Sequence, residues 1–199
     1  MSRRVLEVGE LPTMAFGPRD THWWGTVCLC AIEGTMLVLM ALSYFYVREK
    51  ITPWPPTSGG RTAAWLATAE LAVMLASCLP QYLCSRAAKQ ADVPGMRRWL
   101  IIATVFVVAA CVLRWQIFVH LPVRWDASAY GSCIWTFVGL QTFHLATGLL
   151  ENVVLIVLLF VGPVEQKHRQ DVDVGGILWY FVVAGAALVW ATVFVEHLR

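Results

Sequence analysis

The run from Tyr130 to Phe160 limits the possible folds more than any other stretch, because it is long and almost entirely apolar. About 20 apolar residues, each rising about 1.5 Å, cross the roughly 30 Å hydrocarbon core of a bilayer. This run is longer, so we expect a membrane helix that tilts or protrudes. Its polar residues Gln141, His144 and Glu151 share one helical face. That face must contact other helices, water or a headgroup, since a charge at the bilayer centre costs about 2.5–3.5 kcal/mol.

The composition identifies the class of protein. Hydrophobic residues make up 58% of the 199 residues and charged residues 14%, whereas soluble domains have about 25% charged residues. We therefore expect an integral membrane protein. A net charge of +2 without a dense basic run argues against nucleic acid as a partner. The six cysteines lack paired metal-site spacing, which favours buried small hydrophobic residues over ligands.

The hydropathy pattern predicts an all-α bundle of five transmembrane helices. We expect a polar segment over residues 1–22 at the cytoplasmic surface and one membrane domain over 23–199. No cleavable signal peptide is predicted, because charged residues run through the first twenty positions. The five helices are expected at about 24–46, 63–83, 99–119, 132–161 and 177–195.

The orientation follows from the basic residues in the loops. One side of the membrane receives nine Lys and Arg residues and the other receives five: Arg3, Arg4, Arg19, Arg86, Lys89, Arg97, Arg98, Lys167 and Arg169 against Arg48, Lys50, Arg61, Arg124 and Arg199. The more basic side is expected in the cytoplasm. Five spans then place the N-terminus in the cytoplasm and the C-terminus on the opposite, periplasmic side of the membrane.

Glu33 is the sharpest single candidate, because it is a carboxyl two to three turns inside the first span. It could relay or store a proton or bind a lipid headgroup, and it could equally be a buried acid satisfied by a neighbouring helix. Both interpretations stay open on residue type and depth.

The other intramembrane polar residues form a possible seam. His144 with Gln141 and Glu151 could contribute to a metal site, but the remaining histidines lie in predicted loops or near the ends, so hydrogen bonding to other helices is favoured. Glu70 and Arg114 have similar predicted depths. They are expected either to form an ion pair or to snorkel separately to the interface. We predict no catalytic residue and no metal site.

Several short motifs occur in a characteristic order. They are Trp23-Trp24-Gly25, Ile32-Glu33-Gly34, Trp54-Pro55-Pro56, Leu75-Ala76-Ser77, Tyr130-Gly131-Ser132, then Gly139, His144 and Gly148, and finally Trp179, Phe181 and Val182. Together they resemble subunit III of the haem-copper terminal oxidases, in its short five-helix bacterial form, from about residue 22 onward. The chain departs from that pattern at Gln141, where a first histidine is expected, and at Tyr180 and Val183, where a His and an Asp are usual.

The resemblance implies an accessory subunit of the cytochrome c oxidase type that acts in aerobic respiration and has no redox centre of its own. Such a subunit packs on catalytic subunit I, belongs to the same complex as subunit II, holds phospholipid and supports proton uptake. Haem and copper would then lie in the partner subunits. Glu33 matches the family's intramembrane acid, and His144 matches its second histidine.

Two alternatives remain at this point. The chain could be a subunit III-like accessory protein of a nitric oxide reductase, which the departures in the last helix mildly favour. It could instead be a small proton-coupled transporter that uses Glu33, Glu70 and Arg114, although the sequence lacks a repeated broken-helix pattern.

Overall fold

A computed structural model describes residues 21–56, 60–161 and 166–198, and within these ranges the chain is helical with short connections. Among the described residues, five helical spans are long and apolar enough to cross a membrane. Four of them are α1 (Thr21–Lys50), α2 (Arg61–Lys89), α3 (Val93–Val119) and α4 (Ala129–Val161), and the fifth consists of α5 (Gln166–Val189) and the turns that follow it to Leu198. The prediction of an all-helical, five-span chain is therefore confirmed, whereas the orientation in the membrane stays a prediction.

The helices extend further than the hydropathy pattern predicted. The stretch between the second and third predicted spans is mostly helical, because α2 continues to Lys89 and α3 already starts at Val93. The Asp92 side chain caps α3 by accepting a hydrogen bond from the Gly95 N–H at 3.1 Å. Likewise α5 begins at Gln166, within the stretch expected to be a loop before 177. Polar residues beyond the apolar core continue these helices because they can be hydrated at the membrane surface.

The start of α1 also differs from the predicted start of the first span, by less than one helical turn. Thr21 and His22 already belong to α1, although the sequence placed them in the surface segment. The remainder of that predicted segment, residues 1–20, lies outside the described residues.

α5 is the central helix of the bundle. It packs against α1, α2 and α4, while α3 packs against α2 and α4. In the most apolar 18-residue window of the last span, half of the residues are buried inside the protein, whereas only 11% are buried in the corresponding window of α1. The outer face of α1 therefore meets lipid or another subunit, and it presents large apolar side chains such as Ile32, Leu39 and Leu42.

The end of α5 changes its winding. A π turn over Trp190–Phe194 follows the α-helix, and a 3₁₀ turn over Val195–Leu198 follows that. These turns bring Glu196 and His197 to the side of the bundle where α4 begins. There Glu196 forms an ion pair with Arg48 and accepts a hydrogen bond from the Trp54 indole, and His197 shares one with the Tyr130 hydroxyl at 2.8 Å.

The start of α4 is closely packed against the residues that precede it. A Cβ at Gly131 would fall on the backbone oxygen of Arg124, whereas a Cβ at Gly139 in the same helix meets nothing within 4 Å. Because a backbone atom cannot swing away as a side chain can, we expect Gly131→Ala to destabilise the protein by about 1–3 kcal/mol.

Gly139→Ala is the matched control and should leave stability nearly unchanged. Thermal unfolding of the detergent-solubilised protein, followed by size-exclusion chromatography, measures both variants. Equal melting temperatures for the two variants would contradict the packing described at Gly131.

Candidate functional site

The polar face of α4 is turned into the bundle. Gln141 and His144 are buried, and the Gln141 side-chain amide donates a hydrogen bond to the Val182 carbonyl of α5 at 2.8 Å. About two turns beyond His144, the Glu151 carboxyl lies against Gly175 of α5. Because Gln141 and His144 are buried in apolar surroundings, the neighbouring helices supply the contacts that these two side chains have.

Glu33 and His144 meet across the α1–α4 boundary. The distance from Glu33 Oε2 to His144 Nε2 is 3.3 Å, and the His144 side chain is 7% exposed while that of Glu33 is 26% exposed. Glu33 lies about 18 Å along α1 from Thr21, given a rise of about 1.5 Å per residue. The structure thus brings together two residues that are 111 positions apart in the sequence.

The direction of the hydrogen bond between Glu33 and His144 depends on which of the two side chains carries the proton. A neutral imidazole can donate from Nε2 to the carboxylate, and a neutral carboxyl can donate to an unprotonated Nε2. The Phe181 ring packs edge-on against the imidazole with 5.7 Å between centroids. Among the described residues, His144 Nδ1 and Gln141 Oε1 are buried without a hydrogen-bond partner. The hydrogen bond between Glu33 and His144 can therefore run in either direction, and polar atoms beside it still have hydrogen-bonding capacity.

A cavity of about 460 Å³ lies between α1, α4 and α5, on the side that the charge count predicts to be cytoplasmic. Its ionisable and hydroxyl side chains are His22, Thr26, Thr147, Glu151 and Asp171. We call it the acidic cavity. Thr26 lies seven residues before Glu33, and Glu151 lies seven residues after His144, so the helical period places the cavity directly beneath the pair. His22 and Asp171 approach each other to 3.7 Å on its lining.

Glu70 and Arg114 form a second polar centre, between α2 and α3. Arg114 Nε donates to Glu70 Oε1 at 2.9 Å, and an Arg114 terminal nitrogen donates to the Val138 carbonyl of α4 at 3.3 Å. Both side chains are at most 5% exposed. Of the two possibilities that the sequence left open, the structure shows the ion pair rather than separate snorkelling.

Three tryptophan side chains form hydrogen bonds to residues far away in the sequence, and the sequence alone did not predict these bonds. The indole N–H of Trp179 donates to Ser77 on α2, and that of Trp190 donates to Thr68 on α2, each at 2.8 Å. Trp54 donates to Glu196 at 2.6 Å. A buried indole needs an acceptor, which is a usable signal, but the sequence does not specify which hydroxyl or carboxylate provides it.

The possible metal site involving His144 is not supported by the geometry of the described residues. Within the described ranges, no group of three or more His, Cys, Asp or Glu side chains converges as metal ligands would. The cysteines in these ranges are unpaired thiols.

Comparisons with known proteins give a consistent result. The chain is 28% identical over 174 residues to a protein of Nocardia farcinica named probable cytochrome c oxidase subunit 3, covering 85% of this chain and 83% of that protein. It is 27% identical over 143 residues to the cytochrome c oxidase subunit 3 of Alkalihalophilus pseudofirmus, covering 70% and 68%. A subunit 3 from Thermostichus vulcanus is 22% identical over 174 residues, covering 82% and 81%. No family model matches the chain.

The buried ion pair of Glu70 and Arg114 leads to a prediction about the stability of the protein. Arg114→Leu should lower the free energy of unfolding by about 3–5 kcal/mol, because it leaves the Glu70 carboxylate buried without a partner. The double variant Glu70→Leu with Arg114→Leu should recover most of that loss, since it removes both buried charges. Thermal unfolding in detergent measures each variant.

The exposed pair of Arg124 and Asp126, 2.9 Å apart, serves as the control. Arg124→Gln should cost less than about 1 kcal/mol. If Arg114→Leu costs no more than this control, the Glu70–Arg114 pair does not stabilise the bundle.

Proposed function

We propose that the chain, whose similarity to several proteins named cytochrome c oxidase subunit 3 supports membership of that family, acts as an accessory subunit of a bacterial haem-copper terminal oxidase in aerobic respiration. We propose that it packs on catalytic subunit I in the complex that contains subunit II. The haem and copper of the complex would reside in those partners, and this chain would bind phospholipid in the bacterial inner membrane. The relatives favour this function over a nitric oxide reductase accessory protein and over a transporter.

The observation that supports a role in proton uptake is the alignment of the acidic cavity with the Glu33–His144 pair. Ionisable side chains line the cavity, and the pair lies about two helical turns deeper on the same faces of α1 and α4. A proton taken up near His22 and Asp171 would have Glu33 as the next carboxyl along α1. Glu33 is partly exposed while His144 is buried, so Glu33 is the side from which the pair is accessible.

The structure supports docking on another subunit through the exposed apolar surface of α1. Side chains such as Met36, Leu39 and Phe45 are 43–63% exposed. Lipid solvates such a surface as readily as a partner helix does, so burial alone gives no preference for the partner. The proposal of subunit I as the partner therefore rests on the resemblance to oxidase subunit III.

Affinity purification in a mild detergent tests the assembly directly. We expect this chain to retain a large multi-helix partner with reduced haem bands in the optical spectrum, and the same fraction to consume oxygen. A colourless chain without a partner would contradict the oxidase assignment. Reduction of nitric oxide rather than oxygen by a haem-containing fraction would identify the reductase alternative.

A second prediction concerns sustained turnover. We expect Glu33→Gln to leave the initial rate of oxygen consumption within about twofold of wild type, and to shorten the time over which that rate is held. The amide keeps the shape of the side chain but cannot take up and release a proton as the carboxyl does. Stopped-flow and long-course oxygen measurements on the purified complex separate the two quantities.

Glu49→Gln provides a matched control, because Glu49 is an exposed acid near the other end of α1. Its time course should match wild type. Immediate loss of activity in Glu33→Gln with intact haem, or identical inactivation of both variants, would argue against the proposed role of Glu33.

A further inference from the structure

A small cavity adjoins the buried ion pair of Glu70 and Arg114, where α2, α3 and the end of the last span meet. Its volume is about 10 Å³, and a single water molecule needs roughly 10–15 Å³. The side chains of the ion pair form one part of its wall. The rest of the wall is apolar or aromatic, and it includes Ala67, Leu71, Ala186 and Phe194. The cavity therefore matches one water molecule and excludes bulkier ligands.

The ion pair keeps hydrogen-bonding capacity on both partners. Arg114 donates two hydrogen bonds, one to Glu70 Oε1 and one to the Val138 carbonyl, and a guanidinium has further N–H groups. Among the described residues, Arg114 alone donates to the Glu70 carboxylate, so its Oε2 atom can accept another bond. Both side chains are at most 5% exposed, so bulk solvent does not supply these bonds. A partner inside the cavity would stabilise the buried charges.

The chemistry of the wall favours water over an ion or a dry cavity. The indole N–H of Trp190, which also lines the cavity, is already used, because it donates to the Thr68 hydroxyl at 2.8 Å. Glu70 and Arg114 are therefore the side chains that can hold a ligand there. Their charges cancel, so the cavity offers little net attraction to an ion. Cavities with apolar walls stay dry, whereas polar ones hold a water that makes about three hydrogen bonds.

The π turn of the last span forms another part of the wall. Trp190 and Phe194, its first and last residues, line the cavity together with Val189. A π turn replaces the regular α-helical hydrogen bonds by wider ones. The Thr192 hydroxyl donates to the Leu188 carbonyl at 2.9 Å and to the Val189 carbonyl at 3.2 Å. Carbonyl groups at this turn therefore accept hydrogen bonds from outside the backbone ladder.

We propose that one water molecule binds in this cavity and bridges the ion pair to the last span. It accepts from a remaining N–H of Arg114, donates to Glu70 Oε2, and donates its second hydrogen to a carbonyl at the π turn. The ion pair by itself joins α2, α3 and α4. The water adds the central helix of the bundle to the same polar network. This inference goes beyond the proposed function and does not depend on the oxidase assignment.

Electron cryo-microscopy of the full chain, with the subunits that accompany it, tests the site directly. The map must resolve ordered water at other polar groups of the bundle. We expect a density peak about 2.7–3.2 Å from both the Glu70 carboxylate and the Arg114 guanidinium. The peak should disappear in the double variant Glu70→Leu with Arg114→Leu, because the cavity then loses its polar wall. Absence of the peak in the wild-type map, or its persistence in the double variant, would overturn the proposal.

Two substitutions of nearly equal shape at Ala67 test the site through stability. Ala67→Val places methyl groups in the cavity and should displace the water, so we expect the melting temperature to fall by several degrees. Ala67→Thr fills the same space, and its hydroxyl can take over hydrogen bonds of the water. It should therefore recover most of that loss. Ala69→Val is the matched control, since Ala69 is exposed on the same helix, and it should change the melting temperature little.

Thermal unfolding in detergent compares these three variants with the wild-type protein. A higher melting temperature for Ala67→Val than for wild type would show that the methyl groups fill a dry cavity. Equal losses for Ala67→Val and Ala67→Thr would show steric strain without a role for hydrogen bonding. Either result would contradict the water site. Should the Ala67 variants not fold, the density peak in the wild-type map decides the question.

Discussion

The pairing of Glu70 with Arg114 is the interaction on which the arrangement of three helices depends. Neither side chain has access to bulk water, and hydrocarbon offers no partner for a charge, so α2 and α3 must meet at one register for the pair to form. The additional bond from Arg114 to the Val138 carbonyl extends the requirement to α4. Apolar packing alone would allow these helices to slide, because one lipid-like surface fits another almost equally well. The ion pair supplies the specificity that such surfaces lack.

The same reasoning explains how much of the fold could be predicted from the sequence. Five spans follow from hydropathy, and the turning of Gln141 and His144 toward other helices follows from the cost of exposing them to lipid. Helix ends were harder to place, because residues 85–89 and 166–176 are polar enough for a loop yet remain helical at the membrane surface. The contacts between polar residues of different helices could not be predicted from hydropathy. Glu33 and His144 were each identifiable as unusual, but contact between them depends on the packing of α1 on α4, which apolar periodicity alone does not determine.

Placing α5 at the centre also divides the surface of the bundle into two chemically different regions. Asp171 and the acidic cavity lie on one face of this helix, and Asp173, paired with Lys89, lies on another beside Arg86. These aspartates are two positions apart in the sequence, and the helical rotation of about 100° per residue sends them to different cavities. A single helix thus contributes to two cavities whose linings carry different charges. Tyr180, one of the positions at which the chain departs from the subunit III pattern, lines the cavity that contains Asp173.

The π turn over Trp190–Phe194 bears on how this protein is compared with its relatives. A π turn contains more residues per turn than an α-helix, so it shifts the angular position of every residue that follows. Glu196 and His197 reach Arg48, Trp54 and Tyr130 from that shifted position. A relative that is one residue shorter here would present a different side chain at each of these contacts while remaining helical throughout. An alignment that forbids gaps inside helices would therefore match the final turns out of phase, and equivalence in this region is better judged by contacts than by counting along the chain.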